Sequence, residues 1–331
     1  MERPEPPILP SVLSGDTADI YFLRTRQVME RAGLNPRASM EFFPARDGLL
    51  CGMREVVALL KQVLPRDAEV WGLEEGETMS RKETVLRITA PYQSYGIYET
   101  ALAGFLAQES GWATAARECV NAAEGVPIIS FGARHVHPNV AAAMDYAAVV
   151  GGCLSCSSLE GARLASVAAA GTMPHSLIIC FGDTVAAALA FDEHLPADVP
   201  RTVLVDTFHD EAEESLRVAE AMRERLQGVR LDTPGERGGV TSDLVKEVRA
   251  RLDLAGFPRV QIFVSGGVTP ERIVKMRQEG APIDGYGVGS YITSSPPIDF
   301  TADIHEIEGC PVAKRGRIPG ITLNPRLKRL L

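Results

Sequence analysis

The stretch Val260-Gln261-Ile262-Phe263-Val264-Ser265-Gly266-Gly267-Val268-Thr269-Pro270 decides how the chain folds. It opens as a short apolar run, passes through a serine and two glycines, and reaches a proline at the start of a helical stretch, Pro270–Gln278. Apolar runs of this length, bounded by turn residues, read as strands buried on both faces. Proline at the first helical turn gives up a donor that has no partner there. The two glycines let backbone approach a ligand, and the helix end behind them offers free N–H groups. Together these features spell one strand–loop–helix unit of a parallel sheet.

The unit recurs on both sides. Apolar runs stand at Ile128–Phe131, Ala147–Val150, Leu177–Phe181, Thr202–Val205, Val229–Leu231, Gln261–Val264 and Ile283–Val288. Helix-like segments separate them at Val140–Tyr146, Ser158–Ala169, Asp183–Leu195, Glu211–Arg225, Thr241–Ala255 and Pro270–Gln278. Several strands end in polar or glycine-rich residues: Phe131-Gly132-Ala133-Arg134, Asp206-Thr207, Asp232-Thr233 and Gly287-Val288-Gly289-Ser290. Such endings on many successive strands favour a (β/α) barrel; an open doubly wound sheet usually shows one main glycine-rich turn. Pro296-Pro297 closes the pattern. Before Pro127 the texture is mixed, with helix-like Ser11–Ala32, Glu55–Leu64, Ile97–Ser110 and Ala113–Ala123 and an alternating Thr84–Thr89. The expected organisation is an N-terminal α+β domain over 1–125, an α/β barrel over 126–295, and a C-terminal segment, 296–331, packing back on the first domain.

The whole chain sets limits on this reading. At 331 residues, 45% hydrophobic and 23% charged, it has room for a large core in one big domain or two unequal ones. Thirty-four basic against forty-three acidic residues leave a net charge of −9, a poor match for nucleic acid but no bar to a small anionic ligand in one pocket. The six cysteines, Cys51, Cys119, Cys153, Cys156, Cys180 and Cys310, sit mostly in apolar surroundings and read as reduced, structural thiols of a cytoplasmic protein. Cys153 and Cys156 have a metal-like spacing without a second pair, and His135 and His137 lack a third neighbour, so no metal site is expected. Met1–Pro10 is acidic and proline-rich, unlike a signal peptide, and no run reaches the roughly 18 apolar residues that span a membrane.

Candidate site residues gather at the strand ends. Ser265, Gly266 and Gly267, with Gly287, Gly289 and Ser290 from the next strand, form a phosphate cradle. Asp206 and Asp232 end their strands and suit ribose hydroxyls or a hydrated magnesium ion; the alternative is a helix cap. Arg230 lies inside its strand, where a charge rarely goes unpaired. Phe131 offers a ring face and Arg134 a fork for a planar carboxylate or phosphate. His175 follows Gly171-Thr172-Met173-Pro174 and reads as a structural or a proton-transfer histidine ahead of an apolar strand. Arg46, Lys314, Arg315 and Arg317 are candidates for a converging anion clamp.

Taken in order, the segments Thr17–Thr25, Tyr92–Gln108, Phe131–Pro138, Met144–Gly152, Gly171–His175, Val203–Asp210, Val229–Pro234, Val264–Gly267, Phe300–Ile304 and Ala313–Gly316 resemble the nicotinate phosphoribosyltransferase family in its shorter archaeal and bacterial form. The resemblance implies an irregular or incomplete α/β barrel joined to an α+β domain built from both chain ends. It also implies a homodimer with shared active sites. The implied reaction joins nicotinate to phosphoribosyl pyrophosphate with Mg2+, giving nicotinate mononucleotide and pyrophosphate. Tyr21 matches the position that reaches the base from the neighbouring subunit, and Phe131 and Arg134 match the stacking and base-anchoring positions. Thr172 falls in the Gly171–His175 segment of the resemblance and is expected, with His135 and Leu154, among the substrate-binding residues. His175 matches the histidine phosphorylated when the family couples ATP hydrolysis to synthesis. Arg230 and Asp232 match residues around ribose and base, and Lys314 and Arg315 a basic motif close to the site. Two positions depart from the pattern. The family commonly has a second arginine where His135 stands, and an aspartate after paired glycines where Gly151-Gly152-Cys153-Leu154 stands. Leu154 accepts no hydrogen bond, so another pyridine or carboxylated heterocycle is the competing substrate. A catalytically weak nucleotide-binding homologue is the competing class.

Overall fold

A computed structural model describes residues 4–331. The chain forms two compact units. The first comprises residues up to Ala115, the short piece Leu164–Ser166 and Ser295–Leu331; the second comprises Ala116–Arg163 and Val167–Ser294. The division falls inside the helix Glu99–Ala123, ahead of the boundary expected at 125–126.

The first unit is built on a six-stranded sheet. Phe300–Ile307 pairs antiparallel with Arg37–Pro44, placing Ile307 opposite Ala38 and Phe300 opposite Pro44. Leu86–Pro91, Glu69–Gly72 and the terminal Lys328–Arg329 extend the sheet on the other side. Both chain ends thus enter one sheet. Leu86–Pro91 alternates buried and half-buried residues, as a strand with one covered face must. Helix Met53–Val63 covers that face with Val56, Leu59 and Leu60, joined by Leu102 and Leu106 of Glu99–Ala123. Two helices were expected where Glu99–Ala123 runs unbroken. Ser110, expected to end the first of them, is held inside the helix instead: its hydroxyl accepts from the Cys51 N–H at 3.0 Å and donates to the Cys51 carbonyl at 3.2 Å. Tertiary bonds here outweigh the weak helix preference of serine. Ser11–Ala32 is also divided, into Pro10–Leu13 and Ile20–Ala32.

Glu99 opens the long helix and carries a measurable consequence. Burial, reinforced by Asp303 and Asp19 and opposed by Lys314, raises its carboxyl to about 7. The unfolded chain releases this proton near the ordinary glutamate value. Stability is therefore full below that value, is lost as pH rises toward 7, and stays lost above it. Glu99→Gln is expected to melt with wild type near pH 4.5 and to exceed it by about 1–2 kcal/mol near pH 8, after allowance for partial solvent exposure. Urea midpoints at the two pH values test this.

The second unit holds a parallel sheet of six short strands: β1 (Ile128–Ser130), β2 (Ser155–Cys156), β3 (Thr202–Leu204), β4 (Gly228–Leu231), β5 (Gln261–Val264) and β6 (Gly285–Val288). Their order is β2-β1-β6-β5-β4-β3. β1 and β6 meet as in a closed barrel, but β2 and β3 do not pair, so the sheet is an open arc: the incomplete barrel of the sequence expectation. Helices Pro138–Val150, Glu211–Met222, Ser242–Leu254 and Pro270–Gln278 make the crossovers. The last three are capped at their N-termini by Asp210, Thr241 and Thr269 side chains.

Two expected strands are helices. Ala147–Val150 is the end of Pro138–Val150, which starts on proline under a His137 cap. Leu177–Phe181 belongs to helix His175–Phe181, entered through extended Pro174 and stopped by left-handed Gly182. Short apolar runs fit either structure, and the flanking proline and glycine were the deciding signals. This second change leaves the arc open, because the segment available to bridge β2 and β3 is helical. No single helix among the described residues is long and apolar enough to cross a membrane. All six cysteines are free thiols, four of them buried.

Candidate active site

A cavity of about 640 Å³ lies at the carboxyl ends of the parallel strands and is lined entirely by the second unit. β1, β2, β4, β5 and β6 contribute through residues at their carboxyl ends or in the loops that follow. After β1, the Phe131 N–H donates to the Val288 carbonyl at 2.8 Å, which fixes Phe131 against β6. The ring then packs against Gly287, where a β-carbon would stand well inside 3.0 Å of Phe131 Cε2 and Cδ2. The short turn Ala133–His135 carries Arg134 and His135 to the rim, both exposed.

Arg230 projects from β4 toward the same ring, its guanidinium carbon 5.7 Å from the Phe131 centroid. Nη1 donates to the Thr172 hydroxyl at 2.6 Å, Nη2 stands 4.0 Å from Asp232 Oδ2, and the buried Nε has no partner. Burial lowers the Arg230 pKa; Asp232 and Asp206 push it back up and Arg134 adds to the lowering. The guanidinium thus sits largely out of water with hydrogen-bonding capacity to spare. Thr172, expected at the substrate, first of all holds this arginine.

Asp206, after β3, is buried with neither carboxylate oxygen hydrogen-bonded. His175 Nε2 stands 3.4 Å from Asp206 Oδ1, an ion-pair distance without hydrogen-bond alignment. Burial raises the Asp206 carboxyl above the usual aspartate range; His175 lowers it and Asp232 raises it further. His175 is the first residue of its helix, where a strand was expected after it, and faces the cavity.

Asp232 accepts from the Ser265 hydroxyl at 3.0 Å. Gly266 and Gly267 follow with φ of +80° and +60°, backbone that side chains resist. A β-carbon on Gly266 would also meet Asp232 Oδ1 at 2.7 Å. The sequence reading missed Arg272, which fastens this loop by donating to the Gly266 and Val240 carbonyls. Its signal was present: Arg272 lies in the first turn of the helix whose start Pro270 marks. A neighbouring cavity of about 880 Å³ shares Asp232, Gly266 and Gly267 but lacks an aromatic face.

The cavity unites Phe131, Arg134, His135, Thr172, His175, Arg230, Asp232, Ser265, Gly266, Gly267, Gly287, Gly289 and Ser290. Asp206 joins it through His175. Other candidates lie elsewhere. Leu154 precedes β2, 64% exposed, with its N–H on the Ile128 carbonyl at the amino-terminal edge of the sheet. It is outside the cavity, away from the residues it was expected to join. Tyr21, Lys314 and Arg315 belong to the first unit. The Tyr21 hydroxyl donates to Asp19 at 3.4 Å. Lys314 and Arg317 converge on Asp303, each at 2.6 Å, whereas Arg46 bonds the Pro296 carbonyl; no four-residue anion clamp forms.

Comparison with known proteins adds a family context. The quinolinate phosphoribosyl transferase C-terminal domain matches residues 112–303, and the N-terminal domain of the same family matches residues 19–110. A nicotinate-nucleotide pyrophosphorylase from Pyrococcus furiosus superposes with a TM-score of 0.88 and 42% identity, covering 97% of this chain and 82% of that one. Human nicotinic acid phosphoribosyltransferase shares the fold, with a TM-score of 0.74 at 21% identity over 92% of this chain and 77% of that one. A nicotinate phosphoribosyltransferase from Mycobacterium tuberculosis is 32% identical over 249 residues, which are 73% of this chain and 52% of that protein. The chain spans about half the length of the curated relatives it matches.

Proposed function

The chain belongs to the quinolinate phosphoribosyl transferase family, and we propose that it transfers phosphoribosyl from phosphoribosyl pyrophosphate to nicotinate, releasing pyrophosphate and nicotinate mononucleotide. One observation carries this reading: a desolvated arginine and an aromatic face share a cavity with the glycine-rich ends of two adjacent strands. The first pair suits a flat, carboxylated ring, and the second suits a sugar phosphate.

The pyridine nitrogen is itself the nucleophile, so no side chain has to remove a proton. Phe131 supports the ring, and Arg230 holds its carboxylate with Arg134 at the rim. The Gly266–Gly267 and Gly287–Gly289 segments orient the phosphorylated ribose, which lowers the entropic part of the barrier. Asp232, steadied by Ser265, faces the sugar. The hard oxygens of Asp206 and Asp232, with Asp206 lacking hydrogen bonds, fit Mg2+. Bound there, the ion would neutralise charge on the leaving pyrophosphate. His175 is the side chain available to take a phosphoryl group from ATP, with Asp206 Oδ1 3.4 Å from its Nε2 to hold the ring in place. Lys314, Arg315 and Tyr21 of a second copy complete the site in this reading, which makes the homodimer its working unit.

Quinolinate is the second reading, favoured by the family models and by the 42% identical structure. It carries two carboxylates, and the cavity offers His135 beside Arg134 where a second permanent cation would serve a second carboxylate. That supports the singly charged base. The test is a panel of nicotinate, quinolinate and nicotinamide with phosphoribosyl pyrophosphate and Mg2+, run with and without ATP and read by pyrophosphate and CO2 release. Nicotinate is expected to turn over fastest. Arg134→Ala is expected to raise KM for nicotinate about 5- to 20-fold while leaving KM for phosphoribosyl pyrophosphate within about twofold. Faster turnover of quinolinate with CO2 release would replace the first reading by the second.

A further inference from the structure

Away from this cavity, the first unit contains a buried cluster of acids with no part in the proposed chemistry. Cys51, fully buried, immediately precedes the Gly52 cap of helix Met53–Val63. Its Sγ lies 3.2 Å from Glu75 Oε1 and 3.5 Å from Glu109 Oε2. Among the described residues, this is the one group of three metal-competent side chains with donor atoms all within 4.8 Å of one another.

The spacing is chemically specific. Around a tetrahedral ion about 2.3 Å from sulfur and about 2.0 Å from oxygen, neighbouring sulfur and oxygen donors stand about 3.5 Å apart. Two further oxygens point to a missing partner. Glu109 is 2% exposed, and its Oε1 accepts from no N–H or hydroxyl donor while the like-charged Glu55 carboxylate lies against the side chain; Glu75 Oε2 is likewise buried without a donor. Glu75 Oε1 is pinned by the Gly52 N–H at 3.0 Å, so the carboxylate cannot turn to satisfy its other oxygen without giving up that bond. Unpaired buried polar atoms of this kind are costly and uncommon. There is also a route in, since Glu75 lines a cavity of about 710 Å³ with Arg54, Lys61 and Glu74.

We propose that Cys51, Glu75 and Glu109 form a binding site for a divalent ion of the zinc class. Thiolate with carboxylate suits zinc better than magnesium or calcium, which take oxygen donors alone. Glu55, which acts on Glu109 from the first turn of helix Met53–Val63, is a further carboxylate beside the site. A thiol and a carboxyl bind a divalent ion only as thiolate and carboxylate, so loading the site releases protons. The site joins the start of one helix, the turn after strand Glu69–Gly72 and the middle of helix Glu99–Ala123, so its role is structural.

The experiment uses the full chain, stripped with a chelator and then given zinc or cobalt. Wild type is expected to retain about one equivalent of zinc after dialysis and to melt at least about 4 °C higher with zinc present. Cobalt is expected to give a sulfur-to-metal charge-transfer band in the near ultraviolet. Cys51→Ser should lose the band. Glu109→Gln, close in shape and able to fold without charge, should keep the metal-free melting temperature and lose the zinc response. Cys180→Ser and Cys310→Ser should behave as wild type. A wild-type chain that retains no zinc and shows no band overturns the proposal. So does zinc retention unchanged in both Cys51→Ser and Glu109→Gln.

Discussion

Arg230→Met is expected to lower kcat/KM for the pyridine base about 10²- to 10³-fold, a loss of about 3–4 kcal/mol. Methionine fills much of the same volume beside Phe131, and the Arg230–Asp232 contact it removes is a long one at 4.0 Å, so the fold should survive. What is lost is the one cation beside the ring that is both dry and short of partners. In such a setting a charge-assisted bond to a carboxylate is worth more than at the surface. Thr172 alone cannot replace it. Affinity for phosphoribosyl pyrophosphate, held mainly by the glycine-rich segments, should fall only a few-fold. Arg230→Lys restores charge but not the fork, and should recover a small part of the activity. A loss shared equally between base and phosphoribosyl pyrophosphate would instead place Arg230 at the sugar or pyrophosphate.

The second large effect is expected at Gly287. Alanine there would drive its methyl group into Phe131 Cε2 and Cδ2, far inside any real carbon–carbon approach. The ring cannot simply retreat, because the Phe131 N–H is tied to Val288 in the same strand as Gly287. Gly287→Ala should therefore tilt the aromatic platform and raise KM for the base at least about tenfold, with a stability cost of about 1–3 kcal/mol. Adding Phe131→Ala removes the clash. The double variant should recover most of the stability while the base affinity stays low, a coupling that a two-mutant cycle measures. If Gly287→Ala leaves base kinetics unchanged, Phe131 is a packing residue and not the platform.

The strand–glycine–helix grammar made β1 and β3–β6 legible, because each of these apolar runs ends in a polar or glycine-rich loop followed by a helical stretch, the pattern of buried parallel strands. It failed at Leu177–Phe181, where five apolar residues fit a helix turn as well as a strand. Only Pro174 and Gly182 tell the two apart. The sheet of the first unit was hidden for another reason. Phe300–Ile307 and Arg37–Pro44 lie far apart in the sequence, and their pairing is a long-range event with no local trace. Most of the cavity's residues could be named in advance, since they sit at strand ends, where backbone direction alone brings them together. Leu154 was misplaced because it lies near strand β2 in sequence but at its other end in space. The Cys51–Glu75–Glu109 cluster was invisible because no short spacing links its members.

The arc of β1–β6 has two rims, and each is an opportunity for the wrong chain to attach. Exposed backbone at a sheet border templates association with another protein's strand. Here the rim strands are only two and three residues long, so a foreign strand would find too few bonds to hold it. The missing staves of the barrel therefore need not make the protein sticky: brevity at the border protects solubility where closure would otherwise have done so.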